Sequence, residues 1–319
     1  KFIEKINKNY TFKGEYINFG AAVINGKTLT NTFIKAPLKT LNRHGLITGA
    51  TGTGKTKTLQ GIAEKLSLKG VPSLLLDIKG DLSGIAAKGN PHPKIDERQK
   101  AIGIGWQPDK FPVEFLSLSD EKGVKLRATV YEFGPVLFSK MLGLNNAQGG
   151  IVAIIFKYCD DNKIPLLDLK DFKKMISFLT REGKEEISNM YGAISTQSAG
   201  TVLRKVIELE GQGAEKFFGE PSFDVNDLMK QKDGKGLINI IRVTDIQNKP
   251  KMFSTFLLAT LAEIYNTMPE AGDVKKPKLV IFIEEAHLVF DNASDELMEQ
   301  IEMIMKLIRS KGVGVFFVT

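Results

Sequence analysis

Two stretches of the chain carry residue types whose spacing suits phosphoanhydride chemistry. The first is Gly49-Ala50-Thr51-Gly52-Thr53-Gly54-Lys55-Thr56, with Lys57 following. It comes after a short run read as a strand at about 45–48, Gly45-Leu46-Ile47-Thr48, and opens into an amphipathic helical pattern at about 55–68. Strand, Gly-rich loop and helix are the context a P-loop requires. The three glycines let the backbone curl until successive N–H groups face one phosphate-sized hollow. The positive end of the following helix favours an anion at the same place. In that arrangement Lys55 reaches the β- and γ-phosphates and the Thr56 hydroxyl ligates Mg2+. Residues 49–57 are the expected contacts of a bound nucleoside triphosphate.

The second stretch is the apolar run Lys278-Leu279-Val280-Ile281-Phe282-Ile283, ending in Glu284-Glu285-Ala286-His287. A parallel strand buries both its faces and exposes its carboxyl end, so both acids should emerge beside the P-loop. Glu284 is expected to organise Mg2+, and Glu285 to polarise a water for in-line attack on the γ-phosphate. An acid beyond the metal ligand points to hydrolysis by water, whereas a small-molecule kinase positions an acceptor hydroxyl instead. For His287 two readings stand, a coupling of the site to neighbouring elements or a packed, hydrogen-bonded histidine.

Those side chains need a parallel sheet to hold them. Val71-Pro72-Ser73-Leu74-Leu75-Leu76-Asp77 reads as a strand buried on both faces, delivering Asp77-Ile78-Lys79-Gly80-Asp81 at its carboxyl end. Asp77 either orients a nucleotide-bound water or a partner loop, or belongs to a turn, with Asp81 capping the segment after it. Further strands are expected at 236–241 and 313–319, and helices at about 250–267 and 297–309. Arg309 closes the last helix, where the dipole favours a cation; it also suits an arginine finger for a neighbouring subunit's nucleotide.

The chain divides into a β-rich segment over residues 1–43, a first core part over 44–133, a helical insertion over 134–230 and a second core part over 231–319. In the first segment Asn25-Gly26 joins two short runs as a type I′ hairpin turn. Residues 89–112 read as a loop in which His92, between prolines, has no partner pattern for a metal. Residues 113–118 and 125–130 read as a second hairpin. In the insertion Asn145 and Asp168 are expected to cap helices at 147–159 and 169–180, and another helix covers 198–210.

Of 319 residues, 42% are hydrophobic and 25% charged, as in a globular protein. No apolar run approaches the ~20 residues of a membrane span, and the first residues lack a signal-peptide core. The lone cysteine, Cys159, rules out an internal disulfide framework, fits a reducing cytoplasm and sits where a buried helix residue is expected. The net charge of +7 is compatible with nucleic acid, but it comes mostly from scattered lysines; only seven residues are arginine.

Taken together, residues 42–56, Asp77-Ile78-Lys79-Gly80-Asp81-Leu82, Phe217-Phe218-Gly219-Glu220-Pro221, residues 283–290 and residues 307–315 resemble the HerA/FtsK superfamily of P-loop ATPases. The resemblance is strongest to its YjgR branch of HerA-like helicases. It implies an α/β, RecA-like core with a parallel sheet and an added strand between the P-loop and Walker B strands. It also implies ATP and Mg2+ as cofactors, a homo-oligomeric ring such as a hexamer, and Arg309 acting across the subunit interface. Glu284 stands where that family usually has Asp. The family pattern continues past the position of Thr319 with a Gln and a further strand beside the P-loop strand, so the sheet is expected to be incomplete as written.

The leading expectation is thus a cytoplasmic, Mg2+-dependent ATP hydrolase that works on DNA as a translocase or helicase, without a membrane. The alternative is a nucleotide-gated switch or scaffold that acts on a protein partner without DNA.

Overall fold

Uninterrupted apolar runs such as Leu279–Ile283 can be stable only when covered on both faces, and the fold meets that demand with helices on each side of one sheet. The computed structural model describes residues 1–244, 249–290 and 295–319; for Pro250, Lys251, Val289, Phe290 and Glu296 it describes the backbone alone.

In chain order, α1 (Phe2–Asn9) leads into the antiparallel pair β1 (Tyr16–Ile24) and β2 (Lys27–Pro37). Asn25 and Gly26 both take positive φ at the turn, as a type I′ hairpin requires. β3 (Gly45–Ile47), α2 (Lys55–Leu68) and β4 (Ser73–Asp77) follow. Then come α3 (Pro93–Ile102), β5 (Val113–Ser117) and β6 (Val124–Lys125). The helical stretch contains α4 (Val130–Met141), α5 (Asn146–Asp161), α6 (Leu169–Thr180), α7 (Lys184–Tyr191), α8 (Thr196–Gly211) and α9 (Val225–Leu228). A small ribbon of β7 (Gln231–Lys232) and β8 (Lys235–Gly236) precedes β9 (Ile238–Arg242) and α10 (Pro250–Thr267). The last elements are β10 (Leu279–Glu284), α11 (His287–Phe290), α12 (Asp295–Ile308) and β11 (Val313–Val318).

Seven strands form one parallel sheet in the order β3-β11-β10-β4-β9-β5-β6. β11 therefore lies between the P-loop strand β3 and the acid-bearing strand β10, as the resemblance implied. Side chains alternate between the faces with period two. Leu75, Val280, Phe282 and Phe316 pack against Leu59, Ile62 and Leu66 of α2. Leu74, Leu76, Ile281, Ile283 and Val315 face the opposite way, into an apolar cluster shared with α4, α5, α6, α8, α10 and α12. The helices of this stretch thus belong to the same core as the sheet. Asn145 and Asp168 cap α5 and α6 as their side-chain chemistry predicted. No helix among the described residues is long and apolar enough to cross a membrane.

Four local expectations need correction. The chain begins with a helix, α1, ahead of the β-hairpin. Residues 93–102 form α3, with Pro93 at its first turn, and His92 serves as its N-cap: Nδ1 accepts from the Lys94 N–H at 3.2 Å. Two helices of the insertion, α7 and α9, were not foreseen. Finally, residues 113–130 are not an antiparallel hairpin. β5 and β6 pair in parallel, the Leu126 N–H still bonds the Ser117 carbonyl, and Arg127–Thr129 leave the sheet to reach the capping box of α4. Leu126, Ala128 and Val130 are buried in the apolar cluster shared with the helices, so the apolar residues that suggested a returning strand carry the chain into that core instead.

Candidate active site

The P-loop leaves β3 at the carboxyl edge of the sheet, where Gly49 N–H bonds the Thr319 carbonyl beside it at 3.2 Å. Gly52 and Gly54 take φ of 81° and 95°, a region that L side chains rarely adopt. Gly54 also stands at the N-cap position of α2, so the loop turns directly into the helix N-terminus. Inside the loop Thr53 Oγ1 donates to the Ala50 carbonyl at 2.7 Å. Lys55 Nζ donates to the Gly49 carbonyl at 2.5 Å, curling over the loop's own backbone, and Lys57 Nζ donates to Gln60 Oε1 at 2.8 Å.

Two strands away, β10 ends in Glu284. Its carboxylate is 3% exposed and accepts from Thr56 Oγ1 at 3.0 Å. The sheet therefore joins the two sequence-predicted metal residues directly. Glu284 Oε2 is buried and has no hydrogen-bond partner among the described residues. Asp77, Asp81 and Glu284 each place one carboxylate oxygen within 4.8 Å of the others. An orphaned buried oxygen beside a hydroxyl, with two further acids near it, fits a hard divalent cation such as Mg2+. Burial pushes the Glu284 carboxyl up to about 7; the Asp81 charge adds to this and the Thr56 hydrogen bond opposes it.

Asp77 is fully buried, and its own two oxygens take the N–H groups of Gly80 (2.7 Å) and Leu82 (3.3 Å). The turn is therefore held by Asp77, not capped by Asp81. Burial raises the Asp77 carboxyl above its ordinary range, against the pull of those N–H donors. Gln60 of α2, nearly buried, donates to the Asp81 carbonyl at 3.0 Å and ties the turn to the P-loop helix.

Glu285 takes φ of 49°, unusual for a residue with a side chain. The left-handed kink directs its carboxylate sideways to an ion pair with Lys79, while His287 Nδ1 lies 3.4 Å from its other oxygen. His287 is thus a half-exposed neighbour of the acid rather than a core residue. Lys79 was missed in the sequence; the available signal was a cation two residues past the end of a buried parallel strand.

Arg309 is not brought to this chain's P-loop. It lies exposed on the short 3-10 turn that precedes β11, at the amino edge of the sheet. The P-loop is at the carboxyl edge, roughly 20 Å away along a six-residue strand.

Comparison with known proteins bears on the fold and the family. The family model described as "Helicase HerA-like C-terminal" matches residues 23–319. No curated protein matches the chain. Among solved structures, the bacterial conjugative coupling protein TrwB aligns with a TM-score of 0.58 at 14% identity, covering 99% of this chain and 68% of that one. The plasmid coupling protein TrwB in complex with the ATP analogue ADPNP gives 0.57 at 15% identity, over 99% of this chain and 70% of that one. VirB4 of Thermoanaerobacter pseudethanolicus gives 0.60 at 11% identity, over 97% and 77%. At such identities these structures attest the RecA-like fold, whereas the family match spans nearly the whole chain. The chain belongs to the HerA-like helicase C-terminal family, and it is a P-loop ATPase of the HerA/FtsK type.

Proposed function

We propose that the chain hydrolyses ATP with Mg2+ and couples the hydrolysis to movement on DNA, as one subunit of a homo-oligomer. The observation that carries the catalytic half is the Thr56–Glu284 hydrogen bond, which joins the P-loop to the acid-bearing strand at the carboxyl edge of the sheet.

In this reading the N–H groups of residues 49–57 and the amino end of α2 cradle the phosphates, and Lys55 exchanges the Gly49 carbonyl for a phosphate oxygen. Thr56 and Glu284 hold Mg2+, which neutralises charge that develops on the phosphates. Glu285 orients and deprotonates the attacking water. Arg309, far from its own P-loop, faces a neighbouring subunit's nucleotide across the interface; a hexameric ring is the arrangement to test first. The family's helicase description and the net charge of +7 support the DNA half. The single Cys159, unpaired and buried, suits a reducing compartment such as the cytoplasm.

The test is the ATPase rate with and without duplex DNA at two salt concentrations, alongside Glu285→Gln. Stimulation that fades with salt supports a DNA motor. Turnover indifferent to DNA supports instead a nucleotide-gated switch acting on a protein partner.

A further inference from the structure

The contacts of Glu285 hold an arrangement that hydrolysis does not need. A general base must present a free carboxylate oxygen to water, yet Oε1 is paired with the Lys79 ammonium and Oε2 faces His287. The direction of the pair matters as well. β4, which carries the Lys79 turn, lies on one side of β10, while β11 and the P-loop strand β3 lie on the other. Lys79 therefore draws the carboxylate toward the side of β10 away from the P-loop strand.

The turn that presents Lys79 is built to stay put. Asp77 holds it through the Gly80 and Leu82 N–H groups, and Gln60 fixes the Asp81 carbonyl to α2. The Lys79 side chain, in contrast, is 52% exposed, with solvent beside it. A turn whose backbone is held and whose tip is exposed suits a contact that opens by side-chain rotation alone, with no change in the backbone. A half-exposed pair of this kind is also weak enough to open at each turnover.

We propose that Lys79 is a latch: it holds Glu285 out of the attacking position in the resting chain, and each hydrolytic event requires the pair to open. This makes Lys79 a positioning residue that limits basal turnover, and it rests on the reading of Glu285 as the general base.

The experiment measures basal kcat, KM and the Kd of a non-hydrolysable ATP analogue for the full chain, Lys79→Met, Lys79→Arg, Glu285→Gln and Lys79→Met/Glu285→Gln. Methionine keeps the stem and removes the charge. The expected result is a kcat about two- to fivefold higher in Lys79→Met at unchanged KM and Kd, from the loss of a half-exposed ion pair. Lys79→Arg should restore the parental rate, and the double variant should be as silent as Glu285→Gln. A Lys79→Met kcat equal to or below the parent overturns the latch, as does loss of analogue binding, because a latch that acts on Glu285 alone leaves nucleotide affinity unchanged. A Glu285→Gln variant that still turns over removes the base assignment itself. That result differs from a failed latch, in which Glu285→Gln is silent yet Lys79→Met gives no acceleration.

Discussion

Thr56 Oγ1 and Glu284 Oε1 lie 3.0 Å apart although 228 positions separate them in the chain. The bond links the first turn of α2 to the end of β10, so the P-loop helix and the acid-bearing strand are tied together at the candidate site. Thr56→Ala leaves a buried carboxylate without its donor. It should lower the stability of the metal-free protein by about 1–3 kcal/mol in urea denaturation. It should also remove the Mg2+ dependence of nucleotide binding, while Thr56→Ser keeps both. An alanine variant with parental stability would show that the bond is incidental.

Among the described residues Lys55 is bonded to its own loop alone, at the Gly49 carbonyl, so removing its ammonium takes no support from the core. Lys55→Ala should weaken binding of a fluorescent ATP analogue about tenfold or more, with the melting temperature unchanged. Retained affinity would place the phosphates elsewhere.

Glu284 gives the metal-free protein a defined pH dependence. Its folded-state pKa of about 7 lies above the ordinary 4.5, so between those values the folded chain holds a proton that the unfolded chain has released. Its contribution is therefore fully present below pH 4.5 and is lost as pH rises through 7, a change of roughly 2–4 kcal/mol. In EDTA, Glu284→Gln should flatten this part of the stability profile and be the more stable protein at pH 8. A profile identical to the parent's would rule out the buried, reluctant carboxylate.

Cys159 sits fully buried on α5, and burial pushes its thiol up to about 11. Only about one molecule in a thousand would carry the thiolate at pH 8. Alkylation by iodoacetamide should be negligible in the native protein and complete in denaturant, which makes the residue a probe of global opening. Rapid native labelling would contradict its packing.

Gly314 of β11 passes close to the segment that leads into β3, and a methyl group there would run into the Leu41 carbonyl oxygen. The obstacle is backbone, which cannot rotate aside. Gly314→Ala should cost about 2 kcal/mol or more and loosen the strand between P-loop and acids. Gly211→Ala, at the end of α8 with open space around it, should be nearly neutral and serves as the control.

Much of this was legible in the sequence because the signals are local. The P-loop announces itself through glycines that only a tight anion-binding turn needs, and the apolar runs of β4, β10 and β11 declare a sheet buried on both faces. Asn145 and Asp168 mark helix starts by their own side-chain chemistry. His92 could have been read the same way, but the prolines on either side suggested a loop. The supposed hairpin at 113–130 failed because alternating apolar residues state that strands exist and leave their direction open; burial of Leu126, Ala128 and Val130 against the helices accompanies the parallel pairing. The resemblance implied one strand between β3 and β10, but the rest of the order, and with it the place of β4 beside β10, lay beyond the sequence. The Thr56–Glu284 bond, the approach of Asp81 to Glu284 and the pairing of Lys79 with Glu285 arise only when β10 takes its place between β11 and β4. The chain's own chemistry determined that a P-loop would form and that two acids would stand at the end of a buried strand. Tertiary structure decided which oxygen of Glu284 is left open, and that Glu285 rests against a lysine.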